Sequence, residues 1–123
     1  MNSARALALA GLLLALATAC GAFGAHTLRG QLPPERLALW ETAVRYQFYQ
    51  GLGLAVVGLA LRGSDDGALR LSAWLMAAGI VLFCGSLYAL AFQAPRAVGV
   101  LTPFGGLAWI CAWGLFAWAA LRR

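Results

Sequence analysis

Four apolar runs of about 20 residues each, Ala6 to Ala25, Thr42 to Leu61, Leu71 to Phe92 and Pro103 to Leu121, constrain this chain more than any other feature. As helix, each run would be about 30 Å long, the thickness of a bilayer hydrocarbon core. In that solvent the backbone must satisfy its own hydrogen bonds, and a helix does so within a single segment. The expected fold is therefore all-α: an integral membrane four-helix bundle, with residues 1–123 forming a single four-span transmembrane domain. The connections carry turn chemistry at Arg29-Gly30 through Pro33-Pro34, at Arg62 through Gly67, and at Ala94-Pro95-Arg96.

Composition agrees. Hydrophobic residues make up 63% of the 123 and charged residues only 11%, far from the balance of a water-soluble domain. All nine basic residues are arginine, and four acids leave a net charge of +5, which attracts anionic lipid headgroups. Membrane lipids are the expected partners, together with other membrane proteins or a second copy of the chain. Nucleic acid is not expected, because no basic run exceeds two residues and the aromatics lie in apolar segments. Cys20, Cys84 and Cys111 also lie in apolar segments without metal-ligand spacing. They read as small buried hydrophobes, with no disulfide, metal or cofactor implied.

The first run admits two readings. Ala17-Thr18-Ala19-Cys20 resembles a lipid-attachment cleavage site, although Ala17 stands where leucine is usual. Against cleavage, the rest of the chain is itself membrane-embedded, and the run continues past Cys20 to complete a span at Ala25. The first segment is therefore expected to remain as a span. Two stripes of small residues on it, Gly11, Ala15, Ala19 and Ala17, Gly21, Ala25, predict close approach of a neighbouring helix. Ala73 with Ala77 and Ala108 with Ala112 are weaker versions. Cys-Gly recurs at 20 and 84, and the shift that superposes the two copies lays the first pair of runs over the second, a hint of a duplicated hairpin resting on two identical residues. With Arg45 counted as intramembrane, five arginines (Arg5, Arg62, Arg70, Arg122, Arg123) fall on one side against three (Arg29, Arg36, Arg96) on the other, which favours both termini in the cytoplasm.

The second run is the most informative. Pro34 and Glu35 suit a first helical turn, so the helix should start near Pro34 and run to Leu61. Only Phe48 to Leu61 is strongly apolar, about 21 Å of helix, so the more polar turn before it must be drawn into the membrane surface. That makes residues 34–50 an amphipathic entry. Glu41 precedes Arg45 at the spacing favoured for a helical ion pair, which would offset the cost of a submerged charge, and Tyr49 continues that line. Thr42, Tyr46 and Gln50 form a parallel line. This polar face should point at the bundle or at water, with Leu37, Trp40, Val44 and Phe48 toward lipid or another helix.

Up-and-down topology brings His26, Tyr88, Gln93 and Thr102 to the same level, Thr102 as a helix cap ahead of Pro103. The candidate polar cluster is thus His26, Glu41, Arg45, Tyr46, Gln50, Tyr88 and Thr102. It reads either as interfacial anchoring or as a small binding site or proton path in which His26 titrates near neutral pH. No triad, phosphate-binding glycine loop, CxxC or HExxH pattern points to catalysis, so an enzyme is not expected.

Several strings in order, Gly21-Ala22-Phe23-Gly24-Ala25-His26, Trp40 with Thr42, Tyr46-Gln47, Leu82-Phe83 with Gly85-Ser86-Leu87-Tyr88, and Thr102-Pro103 with Gly105-Gly106, together resemble the YgdD-like family of small bacterial inner-membrane proteins, which has mitochondrial relatives. The resemblance implies four helical spans with an uncleaved first span, and supplies no activity. Gln50 and Cys84 stand where members commonly carry histidine and serine, and without the second histidine a metal or histidine-pair mechanism loses its parts. Gly21, Gly24, Gly85, Gly105 and Gly106 in these strings read first as helix-packing positions, with Gly11, Ala15 and Ala19. The leading functional expectation is a structural or accessory part of a membrane assembly. The alternative is a small transporter or binder of lipid, quinone or proton.

Overall fold

The computed structural model describes residues 1–123. Its helices are α1 (Ser3–His26), α2 (Pro34–Gly63), α3 (Gly67–Gly79), α4 (Gly85–Ala91) and α5 (Leu101–Leu121). A π-helical turn, Ile80–Cys84, joins α3 to α4, so these two form one continuous rod and the chain folds as four rods. Short 3-10 turns at Leu28–Gly30 and Arg96–Val100 lie in the first and last connections.

Local chemistry sets the ends. The Asn2 side chain accepts from the Arg5 amide at 2.8 Å to start α1, and Asp66 accepts from the Ala68 amide at 2.7 Å to start α3. α2 begins at Pro34, as proline's fixed φ and missing N–H favour. The α4 end closes by a 6→1 bond from the Ala94 amide to Ala89 O and a tighter one from the Gln93 amide to Leu90 O, with Gln93 in the left-handed region at φ 67°. Pro95 then prevents the helix from resuming. Thr102 does not cap α5, contrary to expectation. The preceding 3-10 turn runs directly into Leu101, and the Thr102 hydroxyl lies 2.5 Å from that of Ser86.

α2 is the central rod, packed on one side by α1 and on the other by the α3–α4 rod, against which α5 lies. Three rods, α1 with its following turn, the α3–α4 rod and α5 with its preceding turn, are long and apolar enough to cross a membrane. α2 is long enough, at 30 residues, but more polar. The least apolar rod, α2, takes the middle, and more apolar rods surround it.

The α1–α2 seam uses small residues, though not the stripe expected. Ala6, Ala10, Ala17 and Gly24 are buried, whereas Gly11, Ala15 and Ala19 face outward with open space around Gly11. Gly21 does approach α2, since a Cβ there would lie 3.4 Å from Val44. On α2, Gly51 and Gly58 receive Leu14 and Leu7 of α1. In the second half Gly105 packs as expected, pressed against the π turn so closely that a Cβ would lie 2.5 Å from the Phe83 amide nitrogen. A Cβ added at Gly85 or Gly106 would meet nothing within 4 Å, so close packing does not require glycine at either. α1 with α2, and α3–α4 with α5, form two hairpins, each with a tryptophan lying on a glycine. Trp40 covers Gly24 and donates to Cys20 O at 2.8 Å, while Trp109 covers Gly79 and donates to Met76 O at 3.3 Å. The two pairs are not related by the shift that superposes the Cys-Gly copies.

Candidate functional site

The interior polar centre is Gln47, near the midpoint of α2 and 1% exposed. Its amide nitrogen donates to Leu13 O of α1 at 2.8 Å, and its side-chain oxygen accepts from the Tyr88 hydroxyl of α4 at 2.7 Å. One side chain thereby ties three rods together. The sequence reading placed the polar lines of α2 elsewhere and missed Gln47 as a site residue. The available signal was the heptad recurrence of Trp40, Gln47, Leu54 and Leu61, all buried, flanked by Gly51 and Gly58.

The expected cluster separates into four groups and a lone histidine. Tyr88 belongs to the Gln47 network. Tyr46 and Gln50 serve the contact with α5: the Tyr46 ring stacks at 7° to Trp109 with centroids 5.9 Å apart, and Gln50 accepts from Trp113 Nε1 at 3.0 Å. Thr102 pairs with Ser86, whose hydroxyl lies 2.9 Å from Phe83 O on the π turn. His26 is exposed as the last residue of α1, where a cation would complement the helix dipole, and joins none of these groups.

Glu41 and Arg45 form the fourth group, and here the ion-pair expectation is corrected. Both are exposed, and the chain's two ion pairs, Arg70–Asp65 and Arg122–Asp66, lie at the opposite end of the bundle. The line Glu41–Arg45–Tyr49 faces out from the bundle because the buried side of this helix is Trp40, Ala43 and Gln47. Glu41 and Arg45 instead line a cavity of about 200 Å³ between the end of α1 and the first turns of α2, with Arg29 as a second cation and Gly21, Gly24, Ala25, Trp40 and Val44 as its walls. Arg29 was absent from the expected cluster because it lies in a connection, where its position could not be read from helical spacing.

A second groove of about 240 Å³, lined by Leu13, Leu16, Ile80, Val81 and Gly85, reaches Gln47, Cys84 and Tyr88 between α1 and the α3–α4 rod. At the opposite end, Asp66 accepts from both the Ala68 amide and Arg122. The Arg122 hydrogen bond holds the Asp66 carboxyl below its ordinary value of 3.8 and raises the guanidinium in turn.

Residues 20–106, from the last turns of α1 to the first turns of α5, match the family described as "Protein of unknown function (DUF423)". The chain belongs to the DUF423 family. It is 46% identical over 108 residues to the UPF0382 membrane protein YwdK of Bacillus subtilis, covering 87% of this chain and 88% of the relative. It is also 43% identical over 107 residues to the UPF0382 membrane protein SERP0230 of Staphylococcus epidermidis, covering 87% of each. No solved structure matches. The relatives are membrane proteins by name, and no activity is assigned to the family. The DUF423 region contains the Gln47–Tyr88 network, the π turn and the whole Arg29–Glu41–Arg45 cavity.

Proposed function

We propose that this DUF423 protein is a non-enzymatic, four-span protein of the bacterial inner membrane, a single domain with both termini cytoplasmic, acting as a structural or accessory component of a membrane assembly. Its likeness to the YgdD-like proteins is read as kinship within the same family. The observation that carries the reading is how the interior polar groups are used. Gln47, Tyr88, Ser72, Trp40 and Trp109 each hydrogen-bond across to another helix, so they join rods and leave no interior row of groups free to relay protons. Large apolar side chains meanwhile cover the outer surfaces of α1 and α5, including Leu12, Leu16, Phe104 and Ile110. Extraction in a mild detergent at native expression, with cross-linking and affinity recovery, tests the reading. A reproducible membrane-protein partner is expected, and repeated recovery of a bare monomer counts against it.

A second reading, binding of a small polar or amphiphilic molecule, is favoured by one observation: three charged side chains line the same cavity at one end of the bundle. That reading keeps Glu41 and Arg45 from the expected cluster, adds Arg29, and releases His26, Tyr46, Gln50, Tyr88 and Thr102 to structural roles.

A further inference from the structure

The cavity between α1 and α2 is the one cavity of the molecule lined by charges of both signs. At the other charged positions where partners are found, they come from within the chain: Arg70 with Asp65, Arg122 with Asp66, and Arg36 donating to Ala91 O at 3.2 Å. At the cavity, two guanidiniums and one carboxylate share a space of about 200 Å³ without an ion pair, although Glu41 and Arg45 have a spacing that permits one. Glycine lets the α2 wall of this space sit close against α1. The absence of a side chain at Gly24 lets the Trp40 indole lie flush with α1, since a Cβ there would stand 2.8 Å from the ring. Counting about 20 residues back from Leu61 puts Thr42 at the edge of the hydrocarbon, so Arg45 and the cavity lie where headgroups meet acyl chains.

Resting on the binding reading above, we propose that this cavity holds the headgroup of an aminophospholipid, with the phosphodiester on Arg29 and Arg45 and the headgroup ammonium on Glu41. A guanidinium is a planar fork of donors suited to phosphate oxygens, and an ammonium, which only donates, is answered by a carboxylate. A zwitterion of this kind satisfies all three side chains. An anionic glycerol headgroup would engage the arginines but set its phosphate beside an unanswered Glu41. Inorganic phosphate would have the same mismatch and would make no use of the apolar walls.

The test is native mass spectrometry of the purified full-length protein in mild detergent, titrated separately with phosphatidylethanolamine, phosphatidylglycerol and inorganic phosphate. Phosphatidylethanolamine should bind in preference to phosphatidylglycerol, and inorganic phosphate should not displace it. Arg29→Gln and Arg45→Gln should each weaken lipid binding about tenfold, the scale of one lost charge-assisted hydrogen bond. Glu41→Gln should abolish the preference while leaving phosphatidylglycerol binding intact, and Arg96→Gln, at the same end but outside the cavity, should change nothing. Circular dichroism checks the fold of each variant. Should a glutamine variant fail to fold, the corresponding Arg→Lys exchange takes its place, with the same direction expected from loss of the fork. Equal binding of the two lipids by the wild type, lost in the arginine variants, would overturn the headgroup assignment but leave a phosphate-binding site. Displacement of the lipid by inorganic phosphate would overturn the headgroup assignment alone, and lipid binding indifferent to Arg29 and Arg45 would overturn the headgroup assignment and the binding reading together.

Discussion

The two hairpins solve the same packing problem with different materials. In the first, α1 against α2, glycines on one helix receive side chains of the other: Leu14 enters at Gly51 and Leu7 at Gly58, and Trp40 lies on Gly24. In the second, backbone meets backbone. A Cβ at Gly105 would lie 2.5 Å from the Phe83 amide nitrogen and 2.9 Å from Gly79 O, and the helix opposite carries its π turn at that place. Lipid tails are as apolar as leucine, so helices in a membrane gain by packing closely and by sharing hydrogen bonds. The first hairpin gains mainly by interdigitation, and a flexible leucine can yield. The second gains by close approach of two main chains, which cannot.

This contrast predicts unequal responses to one added methyl group. Gly105→Ala should cost about 3 kcal/mol or more, because a rigid backbone contact must open. Gly51→Ala should cost about 1 kcal/mol or less, because the only side chain the new Cβ meets is Leu14, 2.9 Å away, which can rotate aside, and alanine favours the helix. Unfolding of both variants in mixed detergent micelles gives the comparison, and equal losses would remove the distinction between the hairpins.

Gln47 is where the hairpins communicate, through Tyr88. Gln47→Leu should destabilise by about 1 to 2 kcal/mol, since it leaves the Tyr88 hydroxyl without its partner and Leu13 O without its second donor. Tyr88→Phe should cost less, and a double-mutant cycle should show coupling between the two sites. Additive losses would mean that the Gln47–Tyr88 bond does not couple the hairpins.

A smaller effect separates the ends of the second hairpin. Because Arg122 holds the Asp66 carboxyl below 3.8, the stability it contributes is present above that pH and is lost as pH falls through the lower, folded-state value. The loss of stability on acidification should therefore be shallower in Asp66→Asn, whose small deficit against the wild type at neutral pH closes as pH falls. An unchanged acid profile would remove Asp66 as the titrating group.

The helices were legible in the sequence because length and hydropathy alone specify them, and Pro34 marked the start of α2 correctly. Their faces were not legible. Around a helix such as α1 the residues in contact with lipid are as apolar as those in the seam, so the Gly11–Ala15–Ala19 stripe looked as good as the buried set of Ala6, Ala10, Ala17 and Gly24. For α2, charge drew attention to Glu41 and Arg45, yet charged groups near a membrane surface gain most by facing headgroups and water, and the bundle drew in the neutral Gln47 instead. The π turn was invisible because its partner is Gly105, on a different helix.

All of this depends on α2 crossing the membrane despite its polar first half. Single cysteines at Gln31 and Ser64, in a chain whose Cys20, Cys84 and Cys111 are replaced by alanine, can be probed in intact cells with a membrane-impermeant maleimide. The account predicts labelling at position 31 and protection at 64 until the membrane is permeabilised. Labelling of both positions from the outside, or protection of both, would place the two ends of α2 on one side and contradict it.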